Sequence, residues 1–406
     1  MEKITSEKNS SRFSAVFSNV GFLLLWLGQL TSQLADRIFV YVLMIIAYQL
    51  THSNLGVSLP LLAFGIPSVI VSPWAGVFVD KLDRKWIMVL TDIMRGLLIL
   101  LIIPLLTKSI ALIFLATLLI YSAAQFFAPA ETASIPELVE RKHLIIANSL
   151  FMLTWMASSV VGFGLGAPMV NLLAEKGTLV AASVCYFISA VSIILIPLKE
   201  RKAPKIEKHV FEDLKFVFEF IKRNVVIRYS LYKLFVAAMA ISTLSVLSIS
   251  YATDILKIGE RNFGYLIIAV GVGMGIGMWS LSYLSEWIKK GTIVVASFLV
   301  SGAALILLSR TYDLLFALFL IVILGLTNIY ITSSIQTILQ HNIPRQIRGR
   351  VFGVQNMLIN SAFTLPVIFF GMIADLFGIL FAMELLGIVV LLMGVAGLFL
   401  PKFKTI

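Results

Sequence analysis

One cysteine stands in the whole of this 406-residue sequence. Cys185 therefore has no partner for an internal disulfide, and no cluster of thiolates is available to hold a metal. Histidine is almost as scarce. His52, His143, His209 and His341 fall in separate polar breaks, which argues against a metal centre, and no Ser/His/Asp grouping suggests an enzyme. Charge is the third shortage. Only 13% of residues are Asp, Glu, Lys or Arg, against about a quarter in a soluble domain. A water-facing surface for a chain of this length cannot be assembled from so few. No phosphate-binding loop occurs either, so work done by the protein is expected to draw on an ion gradient rather than a nucleotide, and no cofactor is expected.

What is abundant is apolar length. Hydrophobic residues make up 59% of the chain, and the mean hydropathy is +0.99. The charges cluster between apolar runs of roughly 20 residues, the length that crosses a hydrocarbon core about 30 Å thick. Twelve such runs are predicted, at about 19–48, 57–79, 87–106, 110–130, 145–173, 178–197, 227–254, 262–286, 292–309, 313–340, 351–376 and 379–400. Backbone polar groups in lipid must be bonded within their own segment, so these runs are read as helices. The first holds Gln29, Gln33, Asp36 and Arg37 and lacks a small-residue cleavage site. It is expected to be a permanent span rather than a signal peptide.

The net charge of +11 raises the question of nucleic acid, but no soluble basic domain exists to carry it. The alternative is the excess of Lys and Arg on the cytoplasmic side of membrane proteins. With both termini inside, the inner segments hold 24 of the 32 basic residues, the outer loops hold 5, and Arg37, Arg95 and Lys233 fall within spans. The asymmetry predicts a multi-pass protein of a bacterial cytoplasmic membrane with both termini cytoplasmic.

The longest polar stretch divides the spans six and six. The expected organisation is an N-terminal bundle at 1–198, a linker at 199–226 and a C-terminal bundle at 227–406. Within the linker Phe211, Leu214, Phe218 and Ile221 recur at helical spacing among charges, which predicts an amphipathic helix on the inner membrane surface. The halves are related to each other. Ile135-Pro136, Asn148 and Leu150 are matched by Ile343-Pro344, Asn356 and Leu358, each offset by 208 residues. A duplicated six-helix unit is common among secondary transporters.

Between the second and third spans the chain reads Gly76-Val-Phe-Val-Asp80-Lys-Leu-Asp83-Arg84-Lys85. This resembles the signature loop of the major facilitator superfamily. The resemblance implies an all-α integral membrane protein of twelve transmembrane helices in two pseudo-symmetric six-helix bundles, the major facilitator fold. It also implies that Gly76, Asp80, Arg84 and Lys85 form a conformational gate bracing span two against the start of span eleven, where Arg348, Gly349, Arg350 and Val351 stand. Asp92 and Arg95, near the inner end of span three, are expected to belong to this brace.

The stretches Gly76–Asp92, Phe127–Asn148 and Gln336–Phe352 resemble the macrolide-efflux branch of drug/proton antiporters. That likeness implies a monomeric secondary exporter of small lipophilic or amphipathic solutes exchanging for protons. Lysophospholipid transporters, siderophore exporters and metal-ion exporters share the pattern, and a membrane sensor or scaffold is the reading outside transport. One departure stands in span five. The Gly-x-x-x-Gly-Pro pattern often carried by antiporters of this superfamily is replaced by Gly162-Phe-Gly164-Leu-Gly166-Ala167-Pro168, whose minimal meaning is a close-packed, bendable helix.

The most informative intramembrane residues are on span one. Gln29, Gln33, Asp36 and Arg37 recur at spacings of three and four and share a helix face. Ionised groups in hydrocarbon are costly and mark pathways. Desolvation and a neighbouring cation act in opposite senses on such a carboxyl, so Asp36 beside Arg37 is a proton-coupling candidate, with a static brace involving Gln125 as the alternative. Glu384, an isolated acid early in span twelve, is a second candidate. Gln29, Gln33, Gln125, Trp155, Asn328, Gln336, Asn356 and Asn360 are candidate linings of a substrate cavity, joined on spans ten and eleven by Tyr330, Thr332, Ser333 and Gln355. The run Gly271-Val-Gly273-Met-Gly275-Ile-Gly277 lies inside an apolar span, where small residues at this spacing predict tight helix packing.

Overall fold

The computed structural model describes residues 17–79, 82–105, 109–140, 143–197, 210–344 and 347–399. Among these residues the regular structure is helical, with no strand. The helices are α1 (Val20–Thr51), α2 (Asn54–Ile70), α3 (Ser72–Val79), α4 (Arg84–Ile102), α5 (Ile110–Leu138), α6 (Leu144–Ile194) and α7 (Val210–Arg223). They continue with α8 (Val225–Ser250), α9 (Gly264–Trp287), α10 (Lys290–Leu308), α11 (Leu314–Asn342), α12 (Arg348–Ala362), α13 (Leu365–Phe377) and α14 (Ile379–Leu398). Several begin on a polar cap, as their sequences require. Asp83 accepts from the backbone of Lys85 at 2.8 Å, and Asp313 accepts from that of Phe316 at 2.8 Å.

Nine helical stretches among the described residues are long and apolar enough to cross a membrane. Three features bring the crossings to twelve. The 51 residues of α6 turn at Ala174 (φ 56°, ψ 177°) and so make two spans, the fifth and sixth. Helices α2 and α3 together make the second span, broken at Val71. Helix α4 makes the third and carries Arg84, Lys85, Asp92 and Arg95, more charge than an ordinary span. Large side chains such as Trp74, Trp86, Leu172, Trp279 and Trp287 are exposed, as expected where the surrounding solvent is lipid.

The chain forms two compact units, one of residues 1–50 and 66–206, the other of 51–65 and 207–406. In the first, α4 packs on α5 and α6, and α3 packs on α5. Phe22, Leu25, Met88, Val89, Phe127, Phe151 and Ile193 form its apolar core. Gly162 lets α6 approach α1, because a Cβ there would collide with the Cβ of Arg37. This is the close packing expected of that glycine-rich segment.

In the second unit α10 packs between α11 and α14, and α9 lies along α11. The glycine run of α9 serves that contact. A Cβ on Gly273 would strike the carbonyl oxygen of Val322, which is backbone and cannot step aside. The expected amphipathic linker is helical as α7 and packs on α8 and α12. Its Ile221 is buried and its Phe218 exposed, while the side chains of Phe211 and Leu214 lie outside the described residues. The start of α2 is held by a carboxylate from another helix. Asp375 of α13 accepts from the backbone of Asn54 (2.7 Å) and Leu55 (3.0 Å), from the Asn54 amide (3.1 Å) and from the Ser53 hydroxyl (2.5 Å). The Asn54 side-chain oxygen Oδ1 in turn accepts from the Ser250 hydroxyl of α8 at 2.7 Å. A negative group at a helix N-terminus meets unpaired N–H groups and the positive end of the helix dipole.

Candidate functional site

Four helices of the first unit converge on a charge cluster in its interior. Helix α4 presents Asp92 and Arg95, which are 0% and 1% exposed. They lie one turn apart and form an ion pair. Asp92 also accepts from Ser189 of α6 and from Ser32 of α1, the latter at 3.2 Å. The Arg95 guanidinium donates to the Ser32 hydroxyl at 3.0 Å and to Asp36 of α1 at 3.4 and 3.5 Å. Its flat faces are covered by the rings of Tyr186, 4.5 Å from the centroid, and Phe127, 5.1 Å away. Tyr186 completes the circuit by donating to Asp36 at 2.5 Å. One planar cation thus serves two carboxylates on different helices, a task suited to the forked arginine side chain.

The two carboxylates are not equivalent. Asp92 is sealed, whereas the Asp36 side chain is 18% exposed. Of the two, only Asp36 combines partial exposure with its contact to the buried cation. Glu131 of α5 adds a third acid. It is 6% exposed, lies within electrostatic reach of Asp92 and Arg95, and its Oε1 is buried without a hydrogen-bond partner among the described residues.

The structure redistributes several expected roles. Arg37, the expected neighbour of Asp36, points elsewhere and lies 6.0 Å from the centroid of the Trp155 ring. Adjacent helical residues diverge by about 100°, so i and i+1 do not face each other. The partner of Asp36 is Arg95 instead. Asp92 and Arg95, expected with the inner brace, belong to this interior cluster, because Asp92 lies eight residues into α4 from Arg84, about 12 Å along a helix.

Arg84 binds Glu137 at 2.5 Å and the Ala133 carbonyl at 3.0 Å, and Lys85 donates to the Ile196 carbonyl at 2.8 Å. In this structure they tie the start of α4 to the ends of α5 and α6. Gly76 lies in α3, Arg350 is exposed on α12, and Asp80 lies outside the described residues. Glu384 is not an isolated acid: it pairs with Arg310 at 2.7 Å, and the side chains are 36% and 69% exposed.

The candidate cavity residues are divided between the two units. In the first unit Gln29 is buried and donates to the Phe151 carbonyl at 3.3 Å, and Gln33 is half-buried nearby on α1. Gln125 donates to the Tyr121 carbonyl of its own helix at 3.3 Å and does not brace Asp36. Trp155 is half exposed. In the second unit Asn328 lines a narrow crevice with Phe298 and Ser301. Gln336, two turns further along α11, accepts from Gln355 at 3.0 Å. Asn356 is exposed and Asn360 half-buried.

Ser32, Glu131, Tyr186 and Ser189 were not singled out by sequence. For Glu131 a signal exists, since it is an acid inside an apolar run, the criterion that selects Asp36. For the hydroxyls there is none, because Thr31 and Ser192 in the same spans bond their own helix backbone.

Twelve helical crossings, with a buried, multi-helix ion-pair cluster inside the first unit, define the class of polytopic membrane transporters. The chain belongs to the Major Facilitator Superfamily, whose family model matches residues 25–366. It is similar to the multidrug efflux pump Tap of Mycolicibacterium fortuitum, 24% identical over 402 residues that cover 94% of this chain and 96% of that protein. The staphyloferrin A transporter of Staphylococcus aureus (strain NCTC 8325 / PS 47) is 22% identical over 330 residues, covering 80% and 82%. Among solved structures, a bacterial homologue of the human lysosomal transporter Spinster, in an inward-facing and unoccupied conformation, matches with a TM-score of 0.72. It is 14% identical and covers 95% of this chain and 97% of that one. That last likeness concerns the fold.

Proposed function

We propose that the protein is a secondary active exporter of small lipophilic or amphipathic solutes, exchanging them for protons by alternating access. It works as a monomer in a bacterial cytoplasmic membrane with both termini on the cytoplasmic side. The observation that carries this reading is the partly exposed Asp36 joined to the sealed Arg95–Asp92 pair. Protonating Asp36 would release its hold on Arg95 and leave that cation to Asp92 alone. Three helices, α1, α4 and α6, meet at these groups, so the change in pairing is a means of altering how they pack. An isolated ionised group in a span is costly, and retaining several together is better explained by work done on charge than by packing. The name of the Tap relative supports efflux, and the apolar lining around Asn328 suits lipophilic cargo better than sugars.

The test is efflux from a pump-deficient host, with and without a protonophore, over panels of drugs, lipids and siderophores. Asp36→Asn is expected to abolish gradient-driven efflux while leaving the amount of folded protein in the membrane unchanged. Asp36→Glu is expected to retain efflux with a shifted pH profile. Unimpaired efflux by Asp36→Asn ends the coupling role. Efflux insensitive to the protonophore ends proton exchange, and no response to any solute ends the exporter reading.

A further inference from the structure

Glu131 is an interior acid of the first unit that the change of pairing at Asp36 leaves idle. It stands on α5 seven residues before Leu138, about 10 Å from that end of the helix, while Asp92 stands about 12 Å from the start of α4. Arg84, at the start of α4, donates to the Ala133 carbonyl and to Glu137 near the end of α5. The two acids therefore lie at similar depth on adjacent, packed helices. Phe127 precedes Glu131 by four residues and so shares its face of α5, and its ring lies 5.1 Å from the Arg95 guanidinium. Glu131 thus looks onto the Asp92–Arg95 pair, with 6% of its surface exposed where Asp92 has none.

Three carboxyls share one guanidinium here. The other cations of these helices are committed elsewhere: Arg84 to Glu137, Lys85 to the Ile196 carbonyl and Arg37 to the face of Trp155. Helix α3 brings no titratable side chain, and Tyr186 of α6 is engaged by Asp36. The donors are distributed just as unevenly. Asp92 accepts from Arg95, Ser32 and Ser189, and Asp36 accepts from Arg95 and Tyr186. Glu131 Oε1 accepts from nothing, the only buried carboxyl oxygen so placed among the described residues. A buried carboxylate with neither a cation of its own nor a donor is much costlier than the neutral acid. The complementary group is at hand. Arg95 Nε is a buried donor without an acceptor among the described residues, on the guanidinium that already interacts electrostatically with Glu131.

We propose that Glu131 is a second proton-carrying residue of the exporter, which deepens the coupling reading of Asp36 and rests on it. Glu131 holds a proton while Arg95 serves both Asp36 and Asp92. A proton arriving at Asp36 frees part of the guanidinium. Arg95 then directs its Nε–H to Glu131 Oε1, and the Glu131 proton departs toward the side where the sequence places the cytoplasm. One proton is bound and one is released, so the net charge of the cluster is unchanged and no bare ion is left in the interior. Passage of the Asp36 proton to Glu131 restores the first arrangement, with one proton carried per turn.

The experiment is infrared difference spectroscopy of the full-length protein in phosphatidylcholine bilayers at neutral pH, read in the stretching band of protonated carboxyls. Wild type minus Glu131→Gln is expected to show such a band, and Glu131→Asp is expected to move the band rather than remove it. The link to Asp36 is read in a second difference, Asp36→Asn minus the Asp36→Asn, Glu131→Gln double variant. There Arg95 is released to Glu131, so the Glu131 band should be lost, whereas an acid with only a packing role would keep it. All variants should elute as the wild type does on size exclusion. No Glu131-dependent band in wild type, or a band of unchanged strength in the Asp36→Asn background, overturns the proposal. Efflux that depends on Asp36 alongside an unresponsive band ends the role of Glu131 alone. Unimpaired efflux by Asp36→Asn ends the coupling reading and, even with a responsive band, the transport role of Glu131 with it.

Discussion

Replacing Arg95 by Met is the sharpest test of the cluster in the first unit. The methionine stem can occupy the slot between Phe127 and Tyr186, so apolar packing is largely kept while the charge is removed. What remains is Asp92, fully buried, facing two serine hydroxyls and no cation. Breaking a buried pair by removing one partner costs about 3–5 kcal/mol, because the other charge stays desolvated. Asp36 contributes less to that loss, since its 18% exposure lets water compensate. Equilibrium unfolding in mixed micelles should therefore show Arg95→Met about 3–5 kcal/mol less stable than wild type. A second substitution fixes the cause. Arg95→Met with Asp92→Asn removes both charges and is expected to recover part of the loss, a coupling of about 1–3 kcal/mol in a double-mutant cycle. Arg95→Lys keeps the charge but cannot fork to Asp36 and Asp92 together, and should fall between wild type and Arg95→Met. Arg95→Met within about 1 kcal/mol of wild type, the range of ordinary substitutions, would refute the claim that the pair is buried and interdependent.

Other consequences are as direct. Asp375→Ala removes the acceptor of four hydrogen bonds at the start of α2 and is expected to cost about 1–2 kcal/mol, the scale of a lost helix cap, read as a lower thermal midpoint; an unchanged midpoint would show that water replaces the carboxylate. Gly273→Val drives a side chain into the Val322 carbonyl and should cost at least about 1–3 kcal/mol, seen as loss of the monodisperse peak on size exclusion. Gly275→Ala on the same helix meets nothing within 4 Å and should elute normally; equal behaviour of the two would contradict the packing role. Glu384→Gln breaks an exposed ion pair with Arg310, and such pairs contribute about 0–1 kcal/mol; stability and efflux should both be retained, and lost efflux would return Glu384 to the coupling machinery.

The spans were legible because lipid imposes one rule on every segment, and apolar length together with charge asymmetry carries it. Even the strained turn at Ala174 is visible in sequence as the short polar gap between two runs. The pairing inside the first unit was legible only in part. Asp36 announces itself as an acid in hydrocarbon, but its partner lies 59 residues away on α4, and sequence adjacency pointed to Arg37. The same periodicity that puts Gln29, Gln33 and Asp36 on one face turns Arg37 off it. Asp92 and Arg95 looked peripheral because α4 begins with basic residues, although two further turns carry the chain well into the membrane. Ser32, Tyr186 and Ser189 could not have been chosen, since a hydroxyl in a span reads alike whether it bonds its own helix or a distant carboxylate.

The clamp that Asp375 and Ser250 place on Asn54 bears on how the protein could be divided. Residues 51–65 come early in the chain yet belong to the unit made by residues 207–406. A fragment beginning at Glu207 would present the Asp375 carboxylate with no helix start to cap. Genes cut at the linker should therefore yield a C-terminal product that matures poorly alone and is rescued when the N-terminal product is supplied in trans. Rescue should depend on Asn54 and Ser53, making split-gene complementation a readout of a contact that thermal unfolding detects only as one small increment.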